Sequence, residues 1–395
     1  MVSINEQNFK DRKAIIRVDF NVPMSPEKKV QDSSRIQGAK STILKVINDG
    51  GSCILISHLG RPKGKQNSLS LKPIVSELQN ILGRKVIFCE DVLGKKTESK
   101  INALQPGQII LLENIRFYKE ETNGDQVFAK KIASYGDCYI NDAFGSVHRA
   151  HASTTIIAKF FNNNKFSGHL LSKEIESIEQ VLSFGKKPVL AILGGAKVSS
   201  KITIIESMMN KVDEIIIGGG MAFTFIKALG GKIGDSICEE DKLDLALSIL
   251  AKAKAKGVRI HLPVDAVCSK EFSNDGIKKI HKIRSIPNDW QGLDAGPKSI
   301  TDFSKVIKRA KTILWNGPIG VFELESFSKG TIAIGQSIVE STKNGAFSLV
   351  GGGDSVAAVK KFHFQNKVSY VSTGGGAMLE SLEGKDLPGV TALSN

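Results

Sequence analysis

Short apolar runs rich in isoleucine, leucine and valine alternate along the whole chain with longer stretches of helical spacing, and no other feature narrows the possible folds as much. A strand buried on both faces reads as a continuous apolar run, and joining it to a parallel neighbour takes a crossover, usually a helix. The pattern therefore predicts βαβ units around parallel sheets. In the first half the candidate strands are 14–18 (AIIRV), 53–57 (CILIS), 85–88 (KVIF), 108–112 (QIILL) and 138–140 (CYI), each followed by polar or charged residues. In the second half they are 189–193 (VLAIL), 214–218 (EIIIG), 259–263 (RIHLP), 312–316 (TILWN), 347–351 (FSLVG) and 368–372 (VSYVS), followed mostly by glycine. Between the two sets, 170–184 (LLSKEIESIEQVLSF) has helical spacing, many charges and no glycine, which predicts a helix linking two α/β domains.

The chain of 395 residues, 41% of them hydrophobic, has apolar material for more than one core. No run approaches the roughly 18 apolar residues of a membrane span, and the start MVSINEQNFK has neither a basic n-region nor an apolar h-region, so a secreted or membrane-spanning protein is not expected. Five widely spaced cysteines without metal-binding spacing read as reduced thiols in a cytoplasmic protein. The net charge of +14 admits nucleic acid, a membrane surface or anionic substrates. Its distribution favours the last, because seven of the ten arginines lie in residues 1–170, mostly isolated beside glycine, proline, aspartate or asparagine rather than in basic runs with interleaved aromatics.

Ligands of an open parallel sheet bind beyond the carboxyl ends of its strands. In the first half that rule selects Asp19, Asn21 and Pro23 after the first strand and His58, Gly60 and Arg61 after the second. It selects Asn114 and Arg116 after the fourth, and Asp142, His148, Arg149 and His151 after the fifth, with Arg35 at the start of a helix. Arg35, Arg61, Arg116 and Arg149 converging on one cleft would suit a small phosphorylated acid, since a guanidinium fork matches carboxylate and phosphate. Taken singly each is an ordinary surface arginine; their joint placement after strands shifts the balance. The histidines of HRAH flank an arginine, a poor neighbour for a metal cation, so anion binding or hydrogen bonding is favoured over metal ligation. Asp19 and Asp142 also fit plain loop and helix-cap roles, and for Asp142 the cap is the preferred reading.

In the second half, 190–202 (LAILGGAKVSSKI) places a strand, two glycines and then Lys197 and Lys201 four residues apart, which predicts both lysines on one face of a starting helix. Glycine lets backbone amides approach phosphate, a helix N-terminus favours negative charge, and lysines add point charges. Three further strand-to-helix turns carry glycine triplets at 218–220, 351–353 and 374–376. Four such turns at one sheet edge are hard to assign to packing alone. Asp354 is placed to hold magnesium on a nucleotide, or else to cap its helix. Asn316 and Glu323 in WNGPIGVFE offer groups for phosphate and ribose, whereas Trp315 and Phe322 read as core. Neither a Walker A motif nor a strict GxGxxG is present.

Taken in order, RVDFNVP, SHLGRPKG, ENIRF, DAFGSVHRAH, LGGAKVSSK, IIGGGMAFTF, LPVD, WNGPIGVFE, GGGDS and STGGGA resemble the phosphoglycerate kinase family nearly end to end. The resemblance implies two Rossmann-like domains with parallel sheets flanked by helices, the phosphoglycerate kinase fold. It assigns 1–169 to phosphoglycerate, 170–184 to the interdomain helix and 185–385 to the nucleotide, with a tail at about 386–395 returning to the first domain. It implies reversible transfer of the acyl phosphate of 1,3-bisphosphoglycerate to ADP, giving 3-phosphoglycerate and ATP, in a cytoplasmic monomer that uses Mg2+ and needs neither nucleic acid nor membrane. Carried over position by position, Asp19, Asn21, Arg35, His58, Arg61, Arg116 and Arg149 resemble substrate contacts. Lys197, Lys201, Gly219, Gly292, Asn316, Glu323, Gly351, Gly352, Gly353, Asp354 and Ser355 resemble nucleotide contacts, with Asp354 on the metal. Arg35, Lys201, Gly352 and Gly375 resemble the groups around the moving phosphoryl. The weakest match is 152–169, where His169 stands at a position more often apolar in the family. The rival readings are a nucleic-acid binder, a nicotinamide dehydrogenase and, nearest, a kinase for another small carboxylate.

Overall fold

The structure is a computed structural model and describes residues 1–394. It divides into two compact units, one comprising Met1–Ile175 and the residues from Asp386 onward, the other Glu176–Lys385. With strands numbered in chain order, the first unit holds β1 (Lys13–Val18), β2 (Ser52–Ile56), β3 (Val86–Cys89), β4 (Ile109–Leu112), β5 (Cys138–Asp142) and β6 (Lys165–Ser167). They form one sheet of order β3-β4-β2-β1-β5-β6, parallel throughout. Every residue of β2, β4 and β5 is buried, as is β1 after its first lysine, whereas edge strand β3 is half-buried at its centre. That gradient is why the central strands read as unbroken apolar runs.

The second unit holds β7 (Val189–Leu193), β8 (Glu214–Ile217), β9 (Lys232–Ile233), β10 (Arg259–His261), β11 (Asp265–Ser269), β12 (Lys278–Lys282), β13 (Ser285–Ile286), β14 (Gln291–Ala295), β15 (Thr312–Asn316), β16 (Phe347–Val350) and β17 (Tyr370–Val371). Its main sheet, β10-β8-β7-β15-β16-β17, is again parallel throughout. Both units are therefore Rossmann-like α/β sheets flanked by helices.

Several elements differ from the sequence expectation. The three-residue strand β6 lies outside the expected set, and 368–372 shortens to Tyr370–Val371, at the sheet edge where pairing comes from one side only. The run 259–263 stops at His261, two residues before Pro263. An antiparallel sheet β12-β11-β14 and a small β13-β9 pair have no counterpart in the sequence pattern. Their strands are two to five residues long, KKIHK among them, and none carries an apolar run like those of the main sheets. The linking helix is His169–Leu182, ending just before Ser183 and the exposed Phe184.

Candidate active site

In the first unit the residues selected after strands are joined by hydrogen bonds. Asp19, nearly buried, accepts from the Asn21 amide at 3.1 Å and pairs with Arg35 Nη1 at 3.1 Å. The same Nη1 donates to the Asn21 carbonyl at 2.9 Å, which fixes a first-turn residue of the helix Ser34–Asn48 against the β1 loop. The Asn21 side chain accepts from the Gly60 amide at 2.8 Å, and the Gly60 carbonyl accepts from Arg116 Nη1 at 2.8 Å. Buried Asn114 accepts from the Arg116 amide at 3.1 Å and ties the Leu59 and Leu69 carbonyls together. Arg61, Arg116 and Arg149, with Lys63 and Lys119, line a cavity of about 480 Å³. Three of the four expected arginines thus share one wall, and Arg35 reaches it through Asn21 and Gly60.

The electrostatics beneath this wall are unusual. Arg116 is 9% exposed, and its Nε is buried without a partner. Burial, reinforced by Arg17 and Arg149, pulls its pKa down to about 10. His58 is buried, and burial together with Arg17, Arg116 and Arg35 pushes its pKa well below the ordinary imidazole range. His151 is lowered to about 4 by burial and by Arg116, Arg17 and Arg149. Its Nδ1 lies 3.8 Å from Glu121, but a neutral ring at that distance is not an ion pair. Congested cations at the end of a sheet form a site that an anion would relieve. Asp142 takes no part: its Oδ1 accepts from Leu171 N at 3.1 Å, the helix-cap role preferred from sequence.

In the second unit the glycine turns all lie beyond the carboxyl ends of parallel strands β7, β8, β16 and β17. A cavity of about 420 Å³ is lined by Gly195, Gly219, Gly292, Glu323 and Asp354 among others. Two of these glycines are obligatory: a Cβ on Gly219, whose φ is +67°, would sit 2.6 Å from the Gly195 backbone, and one on Gly292 would sit 2.2 Å from the Phe223 ring. Half-buried Lys201 donates to Asn316 Oδ1, whose amide donates to the Gly351 carbonyl at 2.7 Å. Burial lowers the pKa of Lys201, with Asp354 opposing. Trp315 and Phe322 are core residues as expected.

Three details correct the sequence expectation. Lys197 and Lys201 do not share a helix face, because the helix is Ile202–Met208 and residues from Gly195 to Ser200 form turns, held where Ser199 donates to Glu239. Lys197 is exposed, and Lys201 occupies the position before the helix. Asp354 is not a cap, since Gly352, with φ of +92°, precedes the helix Gly353–Lys361 and Asp354 falls in its first turn. Ser355 and Gly351 face inward: the Ser355 hydroxyl accepts from Gly317 N, and a Cβ on Gly351 would strike Met378 Sδ at 1.8 Å. Gly353 and Gly375 have open space around them, and Gly375 precedes the helix Gly376–Leu382.

The family model described as phosphoglycerate kinase matches residues 4–385. The chain belongs to the phosphoglycerate kinase family. It is 50% identical to "Phosphoglycerate kinase" of Porphyromonas gingivalis over 99% of this chain and 100% of that one. It is 49% identical to "Phosphoglycerate kinase, cytosolic" of Triticum aestivum over 99% and 97%. The solved phosphoglycerate kinase from Coxiella burnetii superimposes with a TM-score of 0.91 at 40% identity, over 100% of this chain and 98% of that one. As a phosphoglycerate kinase family member the chain is a phosphotransferase of glycolysis. Sequence reasoning missed Arg17, Glu121 and Ser153, which lie beneath the basic wall. The available signal was an arginine inside the apolar run AIIRV, where a charge has to find buried partners.

Proposed function

We propose that this chain transfers the acyl phosphate of 1,3-bisphosphoglycerate to ADP and the reverse, with phosphoglycerate on the basic wall of the first unit and the nucleotide in the glycine-lined cavity of the second. The observation that carries the assignment is Arg116, buried with an unpartnered Nε among other arginines, since a cation group so congested is matched by a phosphorylated acid. In this reading Asp19 and Asn21 hold Arg35 in place, and His58, Arg61, Arg116 and Arg149 complete the substrate contacts. On the nucleotide side Gly219, Gly292, Asn316, Glu323 and Lys197 supply contacts, Lys201 approaches the phosphates, and Gly351 and Ser355 shape the turns.

Asp354 fits a magnesium ion shared with nucleotide phosphates: it is an exposed carboxylate on the cavity lining, in the first turn of a helix. No cluster of three or more possible ligands exists among the described residues, so the phosphates would supply the remaining coordination. Magnesium, when bound, neutralises phosphate charge during transfer. The chain's own part is positioning and electrostatic stabilisation. Arg35 and Lys201 face the transferring group, and the amides of Gly352, Gly353 and Gly375 at helix starts donate to its oxygens. Direct in-line transfer requires the two ligands to meet, so the units close around them by bending at the linking helix. The enzyme works as a cytoplasmic monomer on small molecules.

The test is a coupled assay with ATP, magnesium and 3-phosphoglycerate on the parent, Arg35→Ala and Lys201→Ala. Activity in the parent with a fall of roughly 100-fold or more in kcat for each variant is expected, the size of one lost transition-state contact. An inactive but folded parent refutes the substrate assignment, and fully active variants refute the residue roles. A radius of gyration unchanged by the ligand pair in solution scattering would refute closure.

A further inference from the structure

Arg17 lies at zero exposure inside β1 and splits its donors three ways. Nε donates to the Ser153 hydroxyl at 2.9 Å, Nη1 to the Val18 carbonyl, and Nη2 lies 3.1 Å from His58 Nδ1. A guanidinium has no acceptor and keeps its protons, so Nδ1 of His58 must offer a lone pair. The neutral ring then carries its proton on Nε2. The Ser153 hydroxyl is oriented in the same way: it accepts from Arg17, so its own proton goes elsewhere, to Glu121 Oε1 at 2.7 Å. The second oxygen of Glu121 accepts from the Ser153 amide at 2.8 Å, and its main-chain carbonyl accepts from Ala152 N at 2.9 Å.

We infer that Glu121 is a positioning residue for phosphoglycerate binding: through the Ser153 hydroxyl it holds Arg17, which fixes His58 with its Nε2–H free to donate to the anionic substrate. The inference rests on the proposed role of His58 and adds the layer beneath it. Glu121 is fully buried in the short helix Lys119–Asn123, and a buried charge that served only as a counter-ion would pair with a guanidinium directly. Direct bidentate pairing, side-on through Nε and one Nη or end-on through both Nη, would take at least one of the donors that Arg17 gives to Val18 and His58. Interposing one hydroxyl at Nε leaves the buried guanidinium a negative charge nearby and keeps Nη1 on the Val18 carbonyl and Nη2 on His58 Nδ1. His151, the other ring near Glu121, is neutral and too far to compete.

The test reads the ring nitrogens of His58 by 15N NMR in the ligand-free protein, with His58→Gln to assign the signals, together with steady-state kinetics. The parent is expected to show Nε2 protonated and Nδ1 as acceptor; a parent protonated at Nδ1 overturns the inference without any variant. Ser153→Ala cuts the relay while leaving Glu121 its amide bond. It is expected to give a mixed tautomer and a KM for 3-phosphoglycerate raised roughly tenfold, the scale of one hydrogen bond to a charged group, with KM for ATP unchanged. Ser153→Thr, which returns a hydroxyl, restores both readouts, and Glu121→Gln shifts them in the same direction as Ser153→Ala. Parent tautomer and parent KM in a folded Ser153→Ala protein overturn the inference. His58→Ala with unaltered KM for 3-phosphoglycerate instead refutes the substrate role of His58, a result separable from the relay because the tautomer is read without substrate.

Discussion

Asp142 offers a stability test that no ligand enters. It ends β5 at zero exposure, its Oδ1 accepts from Leu171 N at 3.1 Å, and its Oδ2 is buried with no partner. Burial raises its pKa from 3.8 to about 7, opposed by hydrogen bonds from Thr42, Leu171 and Leu170. A group raised on folding stabilises fully below its unfolded pKa, and that stability is lost as pH rises through the folded value. From pH 5 to pH 8 the folded chain should therefore lose about 2 to 3 kcal/mol at this one site, at roughly 1.4 kcal/mol per unit. Asp142→Asn mimics the protonated acid: it keeps an acceptor for Leu171 and cannot ionise. The melting-temperature gap between variant and parent should grow in the variant's favour from pH 5 to pH 8, on the order of 5 to 10 °C for a unit of this size. Calorimetry of both proteins at the two pH values measures it. All other titrations are shared and cancel in the gap. A gap independent of pH, or one that grows in favour of the parent, refutes the reasoning.

Asp294 looks alike, also raised to about 7 by burial, yet it should respond in the opposite way to the same substitution. Its two oxygens accept from Ala295 N at 2.9 Å and Gly330 N at 2.7 Å. Asp294→Asn turns an amide NH2, which cannot accept, toward one of those donors, whereas both oxygens of the acid keep a lone pair even when it is protonated, so urea unfolding at pH 5 should show a loss of about 1 to 3 kcal/mol; an unchanged midpoint would count against it. Among the glycines, a Cβ on Gly194 would lie 2.0 Å from the Pro318 carbonyl oxygen, while one on Gly353 meets nothing within 4 Å. Gly194→Ala should lower the melting temperature by several degrees through overpacking of about 1 to 3 kcal/mol, and Gly353→Ala should not lower it. Equal shifts for the pair would show that backbone crowding is not the cause.

Much of the site was legible because parallel α/β sheets place ligands by rule. Asp19, Asn21, Arg61, Arg116 and Arg149 stand just past the ends of apolar runs, and the structure brings them to one end of the first sheet. The lysines of 190–202 misled because spacing alone does not say where a helix begins. There a paired Ser199 and Glu239, forty residues apart, hold the chain in turns until Ile202. Ser355 and Gly351 sit in a turn of the right composition but face Gly317 and Met378, partners that only the packed sheet brings near.

The sequence by itself determined the architecture, since unbroken apolar runs with helical crossovers leave little but buried parallel sheets, and it determined which loops carry the charge. Tertiary structure decided protonation, tautomer and orientation. Arg17 and Glu121 are more than one hundred positions apart in the chain, and whether a buried cation is stranded or serves to aim His58 depends on the hydroxyl that lies between them. Such dependence is not periodic, because it is set by desolvation and by pairs of atoms within hydrogen-bond reach.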